Sequence, residues 1–78
     1  MIFRVYVNFK KGILDPEAEA INKTIFNMGI KSVIDVSKGK FFDIKVNDKK
    51  NNLEDIEKIS IELLSNPIIE DFKIIKKN

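Results

Sequence analysis

Apolar and polar residues alternate from Ile2 to Phe9, with Phe3, Val5, Val7 and Phe9 on one side and Arg4, Tyr6 and Asn8 on the other. A period of two over eight residues predicts a half-buried strand. Lys10-Lys11-Gly12 interrupts it. The pattern then changes to helical spacing, with Ala18, Ile21, Ile25 and Met28 forming one stripe. Asp15 has the chemistry of an N-cap, Pro16 suits the first helical position, and Glu17 and Glu19 favour the positive helix start. Gly29 stands where a helix ends in a left-handed residue.

Residues 32 to 46 read as two strands around Gly39, with Ile34 and Val36 in one apolar set and Phe42, Ile44 and Val46 in the other. Both sets have even numbers, so Val36 faces Phe42 only if the connection has an odd number of residues. This predicts a Lys38-Gly39-Lys40 turn with Gly39 at positive φ and a bulge. Asn47 to Asn52 is a polar loop, in which Asn51 or Asn52 can cap a second helix. Leu53, Ile56, Ile59, Leu63 and Leu64 supply that helix's stripe, and Ile61 falls off it. Asn66, placed before Pro67, is pushed out of helical geometry. Ile68 to Ile75 is a final extended run, and Lys76-Lys77-Asn78 is expected to fray.

The order strand, helix, strand, strand, helix, strand predicts a single α+β domain over residues 1–78. Its fold class is the ferredoxin-like split β-α-β (βαββαβ) sandwich, an antiparallel sheet with two helices on one face. The other face would carry Arg4, Tyr6, Asn8, Phe41, Asp43 and Lys45. That mixture is too aromatic for plain solvent surface and too polar for a core, so these six residues are the candidate oligomer or partner interface.

Size sharpens this expectation. A domain of 78 residues buries only roughly 60% of its unfolded surface, and self-association is a natural remedy. A homodimer or a dimer of dimers is therefore expected. The net charge of +2 is spread over both signs, and Lys outnumbers Arg thirteen to one. Arg is the usual choice for bidentate phosphate and base contacts, so a nucleic-acid partner is not expected. No apolar run reaches the roughly 20 residues that span a bilayer, and no leader-like region opens the chain. With no Cys to form disulfides, a cytoplasmic protein is expected.

His and Cys are absent. Ser/His/Asp and Cys/His nucleophile systems and His- or Cys-ligated zinc cannot be built from this chain. The three glycines stand apart, so there is no phosphate-cradling loop. Glu70-Asp71 resembles an acid pair, but strand neighbours point to opposite faces, and capping, edge protection or ion pairing accounts for both. Asp15, Glu17 and Glu19 complement a helix dipole. Gly39-Lys40 is explained by a turn. No catalytic, cofactor-binding or metal-binding residue is assigned.

Three stretches carry a family resemblance. The first is Leu14, Asp15, Pro16, Ala20 and Ile21. The second is Asp35-Val36 followed by Gly39-Lys40. The third is Leu63, Leu64, Asn66, Pro67, Ile69, Glu70, Asp71 and Phe72. In this order they resemble the PurS-type small subunit of phosphoribosylformylglycinamidine synthase, although members commonly carry Gly in place of Ala18 and a basic residue in place of Ser37. The resemblance implies a non-catalytic subunit that assembles with a large synthetase subunit and a glutaminase subunit. That complex converts formylglycinamide ribonucleotide, ATP and glutamine to formylglycinamidine ribonucleotide, passing ammonia between active sites. ATP and Mg would belong to the synthetase partner, with no cofactor in this chain. Two alternatives share the fold order. One is a regulatory module that binds a small molecule. The other is an RNA-recognition domain, whose stacking aromatics would need to stand where this chain has Lys40 and Phe42.

Overall fold

In the computed structural model, which describes residues 1–47 and 52–77, Phe3, Val5 and Val7 of the first strand are buried in the core. This strand, β1 (Ile2–Phe9), pairs antiparallel on both sides, with β2 (Gly39–Lys45) and with β3 (Glu70–Lys76), giving the order β2-β1-β3. Val5 stands opposite Phe42 and Ile74, and Val7 opposite Phe72, so the middle of one face is apolar across the sheet, with Lys40 and Lys76 at its margins. Phe3, Val5 and Val7 are buried there with Ile56 of the second helix, and Phe42, Ile44, Leu64, Phe72 and Ile74 pack around them.

The first helix, α1 (Pro16–Asn27), begins where the sequence places it. The Asp15 Oδ1 accepts hydrogen bonds from the amides of Glu17 and Ala18 at 3.1 and 3.2 Å. Gly29, at φ 87°, turns the chain back after the helix, and the Lys31 ammonium donates to the Phe26 carbonyl at 3.3 Å. The apolar stripe of α1 does not reach a core. Ala18 is buried, whereas Ile21 is 41% and Met28 68% exposed.

The second helix is α2 (Asn52–Ile59), which continues into a turn of π-helix, Ser60–Leu64. The Ser60 hydroxyl donates to the Ile56 carbonyl at 2.7 Å, and the Ser60 carbonyl accepts from both the hydroxyl and the amide of Ser65. The wider turn shifts the helical phase. Leu64 stays against the core, while Leu63, expected on the stripe, is 77% exposed. Leu53 is also exposed, as is Ile61. Of the two expected caps, Asn51 lies outside the described residues, as does most of the polar loop. Asn52 is the first helical residue, and its side-chain amide donates to the Asn47 carbonyl.

Three further expectations are corrected. Residues 32–38 form no strand, and the sheet has three strands. This segment runs back beside the start of α1, where the Lys38 ammonium lies 3.4 Å from Asp15 and 3.7 Å from Glu17. Gly39 does not form a positive-φ turn; it opens β2 opposite Asn8, and the left-handed glycines are Gly12 and Gly29. A glycine is still required there, because a Cβ at Gly39 would come within 2.7 Å of the Val7 carbonyl. At the other end Lys76 and Lys77 do not fray, and Asn78 lies outside the described residues. Lys76 pairs with Phe3, and the Lys77 amide donates to the Ile2 carbonyl at 2.7 Å.

Candidate functional site: the open face of the sheet

The even-numbered residues of β1 face away from the core, and strand register decides what joins them. Arg4 stands opposite Asp43 and Ile75, Tyr6 opposite Phe41 and Lys73, and Asn8 opposite Gly39 and Asp71. The fold therefore brings four of the six expected residues into one cluster: Arg4, Tyr6, Phe41 and Asp43. Asn8 and Lys45 lie at its two ends, with Lys45 opposite Ile2. Ile75 and Lys73 complete the face from β3. The sequence reading left them out, although their odd numbering in the last strand carried the signal.

Arg4 organises the cluster. Its Nε and Nη2 donate to the two carboxylate oxygens of Asp43 at 2.8 and 2.9 Å, a bidentate pair. The guanidinium carbon lies 4.0 Å from the centre of the Phe41 ring and 5.9 Å from that of Tyr6, within the range of cation–π attraction. The two rings are 6.0 Å apart and tilted by 56°. Asp43 first, and Tyr6 second, strengthen the hold of Arg4 on its proton. The hydrogen bonds from Arg4 hold Asp43 below the usual carboxylate range, against a smaller opposing effect of burial.

This arrangement limits the chemistry. The Arg4 fork is engaged by Asp43, and Asp43 is held ionised by Arg4. The cluster is a rigid platform of one aromatic pair and one neutralised ion pair, with Phe41 52% exposed. Such a surface suits contact with another protein, where rigid aromatics and Arg supply area at low entropic cost. Phe42, one of the two positions an RNA-recognition reading needs, packs against the core instead.

The carboxylates weighed as possible chemistry separate as strand geometry demands. The Glu70 Oε1 accepts from the Asn66 amide at 2.7 Å, while Asp71 lies 3.3 Å from the Lys10 ammonium. Asp15 borders an open cleft of about 770 Å³ between the β1–α1 connection and residues 35–39. Its Oδ2 is buried and near Lys38, but outside hydrogen-bonding geometry. Burial pushes Asp15 up, yet the Ala18 amide, Lys38 and the Glu17 amide together outweigh it and leave its pKa lowered. Asp15 thus closes the base of α1 and is already engaged. Among the described residues, no group of three or more possible ligands could hold a metal ion, and no helix is long and apolar enough to cross a membrane.

Comparison with known proteins gives one family. The family model described as "PurS: Phosphoribosylformylglycinamidine (FGAM) synthase" matches residues 2–78. The phosphoribosylformylglycinamidine synthase subunit PurS of Archaeoglobus fulgidus is 36% identical over 77 residues, covering 96% of each chain. The crystal structure of Bacillus subtilis PurS superposes with a TM-score of 0.85 at 28% identity, covering 95% of this chain and 94% of that one. The Methanocaldococcus jannaschii PurS structure, described as one of the subunits of formylglycinamide ribonucleotide amidotransferase in the purine biosynthetic pathway, superposes with a TM-score of 0.83 at 31% identity. It covers 95% of this chain and 92% of that one.

Proposed function

This chain belongs to the PurS family, a subunit of the purine-biosynthetic ligase phosphoribosylformylglycinamidine synthase, and we propose that within that enzyme it is a non-catalytic, self-associating adaptor. It holds the ATP-using synthetase subunit and the glutaminase subunit in register, so that ammonia released from glutamine reaches formylglycinamide ribonucleotide. ATP and Mg are handled by the synthetase. The complex works in the cytoplasm, with the chain present as a homodimer or a dimer of dimers. The open face, from Asn8 through Tyr6, Arg4, Phe41 and Asp43 to Lys45, is a contact surface for another subunit or a second copy.

The observation that carries this reading is the state of the Arg4-Tyr6-Phe41-Asp43 cluster. Its charged groups already satisfy each other, so it offers shape and apolar area rather than a free acid, base or nucleophile. The absence of His and Cys from the sequence agrees.

Reconstitution tests the role. Omitting this chain should depress the glutamine-driven reaction far more than the reaction driven by ammonium salt, which bypasses transfer. Full glutamine-dependent turnover by synthetase and glutaminase alone would overturn the adaptor role. Turnover by the isolated chain would overturn the non-catalytic reading. Tyr6→Asp should weaken assembly, read by co-sedimentation, while leaving the helical circular dichroism intact.

A further inference from the structure

The stretch around Asn66-Pro67 forms a turn whose shape is fixed by side chains. The Asn66 Oδ1 accepts from the Ile68 amide at 3.1 Å, and the Glu70 Oε1 accepts from the Asn66 amide at 2.7 Å. The Asn66 carbonyl takes the amides of Ile69 and Glu70 at 3.0 and 2.7 Å. The Ile69 carbonyl takes the Lys10 amide at 2.8 Å, which ties the turn to the residue after β1. Pro67 fixes its own φ. On the helix side the π turn ends with the Ser65 hydroxyl and amide both on the Ser60 carbonyl, at 2.7 and 3.1 Å.

What this turn holds outward is apolar. Leu63 is 77% and Ile68 82% exposed, while Leu64, between them in sequence, packs against the core. Single exposed apolar residues are ordinary. Here two stand on backbone that is already ordered, so a partner that covers them has little conformational entropy left to remove. The flanking charge fixes the sign of that partner. The outer side of α2 and the π turn exposes Glu54, Asp55, Glu57 and Glu62 against one cation, Lys58. Two copies meeting here about a twofold axis would set these carboxylates against each other, so the charge favours a basic partner over a second copy.

We propose that the turn from Ser60 to Glu70 is a preformed anchor, with Leu63 and Ile68 entering an apolar socket rimmed by Lys or Arg on a different subunit of the synthase. Asn66 and Glu70 are positioning residues, which hold the two anchors at the right spacing before the partner arrives. The inference rests on the adaptor reading and gives the adaptor a second contact, built from the helix layer rather than from the Arg4-Tyr6-Phe41-Asp43 face.

Fluorescence anisotropy of the labelled full chain, titrated with synthetase and glutaminase subunits supplied with glutamine and ATP, tests this. Both anchors are exposed, so the double variant Leu63→Ser/Ile68→Ser spares the fold, checked by its urea midpoint. It should raise the dissociation constant by about 30-fold or more without changing the sedimentation mass of the chain alone. Glu70→Ala keeps both anchors but frees the turn, and should weaken binding by about 5-fold; Glu70→Gln, which keeps an acceptor for the Asn66 amide, should restore it. Higher ionic strength should slow association. A wild-type chain that binds neither subunit overturns the adaptor reading itself. Wild-type binding that the double variant retains overturns only the anchor. Binding unchanged by Glu70→Ala overturns the preformed turn, and an association rate indifferent to salt overturns the basic rim. A double variant that lowers the chain's own sedimentation mass assigns Leu63 and Ile68 to contact between copies, which also overturns the proposal.

Discussion

The two ends of this molecule solve the same problem differently. Around β1 the chain covers itself: Val5 and Ile56 are 0% and Val7 1% exposed, with Phe42, Phe72 and Ile74 closing over them. In the excursion from α1 to residue 38 a comparably apolar sequence is left open, and Ile34 reaches 94% exposure. Hydrophobic content is not the difference. Sheet register gives each β1 side chain neighbours on both sides, while the arm has only α1 and one extended return segment, too few layers to enclose a core. An apolar stripe therefore predicts burial only where the chain also supplies the opposing surface.

The comparison can be broken most directly at Ile56. Ile56→Ala should cost about 2–5 kcal/mol in urea unfolding, because the site is closed on all sides. At concentrations where the chain is monomeric, Ile34→Ala should stay within about 0.5 kcal/mol of wild type. Equal losses would mean that the arm packs within its own chain. Gly39→Ala comes next. The added methyl meets the Val7 carbonyl, and relieving that contact should cost about 1–3 kcal/mol, read by the same unfolding. Glu70→Ala removes the acceptor that holds the Asn66 amide and should cost about 0.5–1.5 kcal/mol, with the loosening confined to the turn before β3 in hydrogen exchange.

The smallest effects are electrostatic and sharpen the comparison, since one aspartate sits on each region. Asp43 on the sheet and Asp15 at the base of the arm both have folded pKa values below the ordinary 3.8. A lowered carboxylate stabilises the fold fully above its unfolded pKa and loses that contribution as pH falls through the folded value. Stability should therefore decline in acid, below about pH 4, rather than near neutrality. Asp43→Asn should flatten the decline by removing the Arg4 pair. Asp15→Asn, which keeps a cap acceptor, should lower the melting temperature less than Asp15→Ala.

How far the sequence disclosed this structure depended on whether a residue's surroundings are local. The limits of β1, the Asp15-Pro16 helix start and the Gly29 stop were legible because alternation, capping and backbone preference act over a few residues. The alternation of Ile34 and Val36 was equally clear, but it states only that the segment suits a strand, not which edge receives it. Leu63 was misplaced for another reason: the π turn at Ser60 inserts one residue into the helical phase, and a stripe read at constant period cannot register that. Ser60 itself, buried and bonded to Ile56, was missed although it falls four residues after Ile56 on the same stripe. In the candidate site, the even residues of β1 and the odd residues of β2 were assigned correctly to one face. Their convergence on the Arg4 fork needed the register, which no local signal specifies.

The central position of β1 has a consequence for the order of events during synthesis. The strand made first is the one every other strand needs, yet its partners come late: Tyr6 waits for Phe41 on one side and Lys73 on the other, and Phe3 for Lys76. A growing chain on the ribosome can form α1 early, but it cannot satisfy both edges of β1 until residues in the seventies have left the exit tunnel. Pairings so distant in sequence are slow to close. The nascent chain therefore carries an apolar strand with an open edge until β3 has followed it, the interval in which a chaperone has most to protect.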